Sequence, residues 1–313
     1  MSQAAHRWLR RVLQVAGLGA ALWYLVHTAQ AHRAELSAVS VSIRWGPLAL
    51  ASALTVLTWF LLVHAWTRSL RWWGASLPFG AGLRIWFVTN LSRFVPGAIW
   101  QFAHVSTEAI GARISPVAAT GAILFQQLVL LGTGAALTAS LAPVLPVSVT
   151  GTANPAVALA LASLGVLGAI ILLPVVTPTL ERWTSRLFRR QVSWPAPSRR
   201  ELSAYVGVLV LPWLAYGVAF WLFGVALLGG AAPALLPAAA AFIGSYVAGI
   251  IAVIAPGGLG VREAALVLLL SPIAGPAPAL LLAIASRLWL VTLEVLTALG
   301  VLLWHRRGVP GPE

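Results

Sequence analysis

Residues 251–266 read IAVIAPGGLGVREAAL. Strongly apolar chain flanks this stretch, yet its centre holds Pro256, Gly257, Gly258, Gly260 and the adjacent charges Arg262 and Glu263. Pro removes a backbone donor and clashes with the preceding turn, while Gly admits turns closed to other residues. A second Pro-Gly, Pro96-Gly97, lies in NLSRFVPGAIWQFAH, residues 90–104, with Asn90 and Arg93 before it and Gln101 and His104 after it. Two helix breaks, each beside charge, stand where the neighbouring chain is suited to hydrocarbon.

Composition gives those breaks their setting. Of 313 residues, 60% are hydrophobic and 9% charged, whereas a soluble domain carries roughly 25% charged residues. The chain has no cysteine, which excludes disulfides and thiolate metal sites. All 20 basic residues are Arg and all seven acids are Glu. A net charge of +13 would suggest nucleic acid in a soluble protein. Here the arginines fall between apolar runs, so topology and anionic headgroups explain them and nucleic acid is not an expected partner. The chain reads as an all-α polytopic membrane protein.

A helix crossing ~30 Å of hydrocarbon needs about 20 apolar residues. Full-length candidates are 11–29, 47–66, 116–142, 153–177, 203–229 and 278–304, with two further regions, 82–106 and 236–271, broken at Pro-Gly. That makes about eight hydrophobic segments in one transmembrane domain, 1–313. A first half of about 11–177 is joined to a second of about 203–305 by the Arg-rich connector 178–202. Arg7, Arg10 and Arg11 precede the first run, and Ala29-Gln30-Ala31 after it resembles a signal-peptidase site; an uncleaved first span is the preferred reading. Arg placement predicts a cytoplasmic connector and both termini cytoplasmic, with 143–152 and 230–235 outside. Arg33 and Arg44, with Glu35, fall on the outer side in this scheme and fit it poorly. Trp8, Trp45, Trp194 and Trp304 near predicted ends suit an interfacial belt.

Shifting the chain by 160 residues lays Pro96-Gly97 on Pro256-Gly257, Pro116 on Pro276, and Gln127 on Arg287. With three full spans between the broken segments, the second copy is inverted in the membrane. Inverted repeats with discontinuous helices belong to transporters and put the substrate near the midplane. A freed backbone group in lipid costs several kcal/mol unless protein or a wet cavity satisfies it. Paired re-entrant hairpins are therefore expected, whether 82–95 and 236–255 cross fully or turn back.

Backbone N–H groups at the start of the half-helix carrying Arg262 and Glu263 favour an anion, and guanidinium binds phosphate in a bidentate way. The last span, LLAIASRLWLVTLEVLTALGV, holds Arg287 and Glu294 inside an apolar run, where one charge costs about 2.5–3.5 kcal/mol on insertion scales. Seven residues are two turns, so both side chains share a face roughly 10 Å apart and each needs a partner on another element. Glu263 or Glu108 is the expected partner of Arg287, and Arg93 or Arg262 that of Glu294. Gln126 and Gln127 are polar residues in the corresponding helix of the first half, where such side chains commonly join helices. There is no Asp, GxSxG, P-loop or paired-His spacing; no metal or cofactor is expected, and an enzyme would have to draw on Glu108, Glu263 and Glu294.

At NLSRFVPGAIWQFAHV and APGGLGVREAALVLLL the chain resembles the flippase-like transmembrane domain of the lysylphosphatidylglycerol synthase family. The second motif is matched by Pro256, Gly257, Gly258, Gly260, Arg262 and Glu263, and the first by Asn90, Arg93, Pro96 and Gly97. The resemblance implies movement of a lipid, or a lipid-linked headgroup, between leaflets of the cell membrane. Relatives joined to a synthase carry a soluble aminoacyl-transfer domain after the membrane part. Since this chain runs eight residues past His305, it is not expected to aminoacylate phosphatidylglycerol itself. After the first Pro-Gly many relatives are more polar, whereas AIWQFAHV offers only Gln101 and His104.

The expected function is a lipid flippase or transporter for an anionic phospholipid or a polyprenyl-phosphate-linked headgroup. Substrate-binding candidates are Arg93, Arg262, Arg287, Asn90, Gln101 and His104, supported by Glu263, Glu294, Glu108, Gln126 and Gln127. Membrane lipids are the expected partners, with a homo-oligomer allowed. The alternatives are a membrane-embedded enzyme acting on such headgroups, which would form product in detergent, and a non-catalytic scaffold for envelope synthesis, which would tolerate replacement of both Pro-Gly breaks.

Overall fold

The structure is a computed structural model that describes residues 26–90 except 38, 99–145, 197–252, 258 and 260–307, with single positions at 23 and between 164 and 186. Most of the expected spans 11–29 and 153–177 and of the connector, and Arg93, Pro96, Gly97, Pro256 and Gly257, lie outside the described residues, as do the side chains of 99–103 and 306–307.

Described residues form helices and no strands. The principal helices are α1 (Trp45–Ser69), α2 (Phe79–Asn90), α3 (Ile99–Gly111), α4 (Pro116–Leu141), α5 (Arg199–Leu228), α6 (Leu235–Ile251), α7 (Val261–Ala274) and α8 (Pro276–Arg307). With their terminal turns, α1, α4, α5 and α8 are long and apolar enough to cross a membrane, and α6 is a shorter apolar helix. The sequence expectation of full-length runs at 47–66, 116–142, 203–229 and 278–304 corresponds to these four. Each broken region appears as two short helices, α2 with α3 and α6 with α7. At 1.5 Å per residue, the 12 and 13 residues of α2 and α3 reach only about 18–20 Å.

Local chemistry explains the long helices. Hydroxyls inside them bond back to carbonyls four residues earlier, as in Thr55 to Ala51, Thr58 to Leu54, Thr133 to Val129 and Thr138 to Gly134, which satisfies these groups within their own helix. Pro116 and Pro276 begin their helices, at the position where a missing N–H costs nothing. Ser198 and Glu201 form a reciprocal cap at the start of α5, Glu201 Oε2 accepting from the Ser198 N–H at 2.9 Å. Leucines 50 and 57, 124 and 128, 211 and 214, and 296, 299 and 303 are exposed. Their three-, four- and seven-residue spacings give each long helix one apolar outer stripe, the face suited to lipid.

Helices α1 and α5 pack antiparallel. The Trp72 ring meets Tyr205 at 5.0 Å at one end; at the other the Arg44 and Ser42 N–H groups donate to Ala226 O and Leu227 O at 2.9 and 3.1 Å. The first end gathers the exposed Arg68, Arg71, Arg199 and Arg200, and Trp304 of α8 lies there against Gly80. At the opposite end Arg44 sits against Gly229, whose φ is +59°. Arg44, awkward for an inside-positive rule, has a local reason to be there: a cation complements the carbonyl end of α5.

Gln126 joins three helices. Its Nε2 donates to Leu62 O at 3.1 Å and its Oε1 accepts from Tyr205 Oη at 3.2 Å. It is fully buried, whereas Gln127 is half-buried. Trp213 Nε1 donates to Leu130 O and Thr133 Oγ1, both at 3.1 Å, tying α5 to α4.

Candidate functional site

The short helices bring buried charge onto α8. Helix α2 runs antiparallel to it: a Cβ on Gly80 would lie 3.5 Å from the Trp304 ring, and ten residues further along Asn90 Nδ2 donates to Glu294 Oε1 at 2.6 Å. From the other end, α6 descends and α7 returns antiparallel, with Gly249 against Arg262 and Gly244 against Leu269. The turn is tight. Gly258 has φ +70°, and a Cβ there would come within 3.0 Å of Gly249 O. Gly260, with φ +80°, opens α7 by donating its N–H to Glu263 Oε2 at 2.7 Å.

That capping bond aims the other Glu263 oxygen at α8. Arg287 Nε lies 3.4 Å from Glu263 Oε1, an ion pair without a hydrogen bond's alignment at that oxygen. Arg287 is 5% exposed and Glu294 1%. The two side chains bracket the centre of α8's apolar run, and each is met by a different short-helix pair. Removing one partner of such a buried pair leaves an uncompensated charge.

Arg262 packs flat on aromatic rings, its Cζ 4.3 Å from the Tyr246 centroid and 4.8 Å from that of Phe242. Tyr246 in turn stacks on Tyr216 of α5, with centroids 5.9 Å apart. A small cavity opens between these groups, lined by Trp59, Tyr216 and Tyr246 together with Arg262, Arg287 and Leu290. Arg262 and Arg287, from different helices, thus line one small space with aromatic walls, a setting in which cations are held by ring faces and by carboxylate.

The remaining sequence candidates divide. Glu108 meets Arg84 and His104 rather than Arg287, and Glu294 takes Asn90, a neutral partner that charge pairing alone does not suggest. Gln126 serves helix packing. Arg93 and the Gln101 side chain lie outside the described residues. Sequence reasoning missed Trp59, Tyr216 and Tyr246. Their only signal was a large amphipathic ring in mid-span instead of at an interface, and the chain has just four Tyr.

Residues 11–300 match the family model described as lysylphosphatidylglycerol synthase TM region. The chain belongs to this family. The match takes in every helix that borders the cavity, and no synthase domain is matched alongside it. A search of the curated proteins finds no match to the chain. As a member of the lysylphosphatidylglycerol synthase TM-region family with four candidate spans among the described residues, it is a multi-pass membrane protein.

Proposed function

We propose that this family member moves an anionic phospholipid, or a lipid-linked phosphate headgroup, between leaflets of the cell membrane. The observation that carries the reading is the shared cavity of Arg262 and Arg287 beside the middle of α8. A headgroup phosphate entering it meets two guanidinium groups already oriented, one by ring stacking and one by Glu263. Asn90, Arg93 and Gln101 belong to the first broken region and receive the headgroup from its side. Acyl or polyprenyl tails stay in lipid, and no bond in the substrate breaks.

In this reading α2 with α3 is a hairpin entering from the arginine-rich, cytoplasmic end, and α6 with α7 one entering from the outer end. The lengths of α2 and α3 and the contact of α2 with α8 support that. Element positions support an inverted repeat. From Pro116 to Pro276 is 276 − 116 = 160; adding 160 carries Ile99–Gly111 to 259–271 against Val261–Ala274, and Phe79–Asn90 to 239–250 within Leu235–Ile251. Two opposed hairpins on one spine supply the two arrangements that alternating access requires.

The test is dithionite accessibility of fluorescent phosphatidylglycerol and, in a separate arm, of a fluorescent short-chain polyprenyl phosphate in proteoliposomes, with a zwitterionic lipid as control. Charge-assisted hydrogen bonds contribute about 1.5–3 kcal/mol each. Arg262→Ala is therefore expected to slow movement of the anionic lipid by about tenfold or more, with Arg262→Lys recovering only part of it. Unchanged movement of both anionic lipids in Arg262→Ala overturns the reading.

A further inference from the structure

We propose that His104 and Glu108 form a proton-binding site, reached from the arginine-rich end, whose occupancy sets the rate of headgroup movement; this rests on the transport reading above. His104 Nε2 lies 3.6 Å from Glu108 Oε1, and Arg84 Nη2 donates to Glu108 Oε2 at 3.3 Å. Side-chain exposure falls along the row, from 51% at Arg84 to 21% at Glu108 and 6% at His104. The three groups make a polar path running inward from one end. Histidine is the side chain whose ordinary titration falls between about pH 5 and 8, and chains of His and Glu inside a membrane protein mark proton routes.

The path leads towards the Asn90–Glu294 contact. From Glu108 back to His104 is four residues of α3, about 6 Å of rise, and from Arg84 to Asn90 is six residues of α2, about 9 Å. Arg84 and Glu108 join the two helices, and from that contact both Asn90 and the less exposed His104 lie nearer the break in the chain. Among the described residues, the charged and titratable groups nearest this point are Arg84 from α2, Glu108 from α3 itself, and Glu294 of α8, which Asn90 contacts. Helix α4, on the other side of α3, carries no titratable residue and contributes the Thr120 hydroxyl, 2.9 Å from Ser106 Oγ. Arg93 lies between α2 and α3, outside the described residues. A proton taken from water onto the His104 imidazole makes it a cation that competes with Arg84 for one carboxylate. Proton binding and the α2–α3 contact are thereby linked, and α2 carries the Asn90 that holds Glu294.

The experiment uses proteoliposomes with the full chain in one orientation and the fluorescent anionic lipid that moves. With the other face held constant, shifting the arginine-rich face from about pH 8 to about pH 5.5 is expected to change the rate about threefold or more. In His104→Gln the ratio of the two rates falls to about one. Equal ratios in wild type and His104→Gln, no response in wild type, or a response only to the opposite face overturn the proposal. If wild type moves no lipid at any pH, the transport reading fails, and the site is then decided by nitrogen NMR of the histidines. Glu108→Gln is expected to change the His104 nitrogen resonances, and unmoved resonances overturn the site itself.

Discussion

Arg287→Ala is expected to destabilise the protein by about 3–5 kcal/mol and to stop headgroup movement. Glu263 is the reason for the first effect. Its Oε2 is committed to the Gly260 N–H at 2.7 Å and its Oε1 faces Arg287 at 3.4 Å, so truncating Arg287 leaves a carboxylate buried against apolar chain. The two effects are separable. The double variant Glu263→Gln with Arg287→Met removes both charges while Gln still accepts from Gly260, and it is expected to recover stability to within about 1–2 kcal/mol of wild type. Movement is not expected to return, since the cavity has lost one of its two guanidinium groups. Unfolding in detergent reads the first quantity and dithionite accessibility the second. An Arg287→Ala protein as stable as wild type contradicts the pairing; a double variant that moves lipid normally removes Arg287 from the site.

Gly258→Ala is expected to cost about 2–5 kcal/mol, combining the left-handed backbone penalty with overpacking. Gly258 has φ +70°, and its added Cβ would meet Gly249 O at 3.0 Å and Gly249 Cα at 3.1 Å. Those are backbone atoms of α6, which cannot rotate aside as a side chain can. Gly207→Ala is the internal control. It lies inside α5 with nothing within 4 Å and no positive φ, so the helix preference of Ala should leave it neutral or more stable by up to about 1 kcal/mol. Since Arg262 and Glu263 follow this turn, Gly258→Ala is also expected to impair movement. Unfolding midpoints that do not separate the two variants contradict the tight α6–α7 turn.

Four long spans and two interruptions were legible in the chain because each rests on a strong local signal: 20 apolar residues for a span, Pro beside Gly for a break. The need of Arg287 for an acidic partner was legible too, since a lone charge inside an apolar run is costly, and Glu263 was one of its two candidates. The Asn90 contact of Glu294 was not legible, and Arg93, one of the two cations expected there, lies outside the described residues. Asn90 is 204 residues away, and a neutral amide satisfies a carboxylate without the charge complement that a pairing argument seeks. The aromatic walls were hidden for another reason. Trp59, Tyr216 and Tyr246 read as ordinary core in their own helices, and only the packing of α1, α5 and α6 turns them towards one space. Arg44 looked misplaced when counted as topology; the carbonyl end of α5 that it meets lies more than 180 residues along the chain.

Helix α8 is gripped at two points, with Asn90 of α2 on Glu294 and Glu263 of α7 on Arg287. The proposed transport reading then requires the outer limits of the two helix pairs to face opposite sides of the membrane. The chain has no native cysteine, so single cysteines report side directly in intact, right-side-out cells. Ala234→Cys and Pro276→Cys are predicted to react with an impermeant maleimide from outside, while Ser76→Cys and Ser115→Cys react only after permeabilisation. Labelling of Pro276→Cys and Ser115→Cys from the same side would contradict the account.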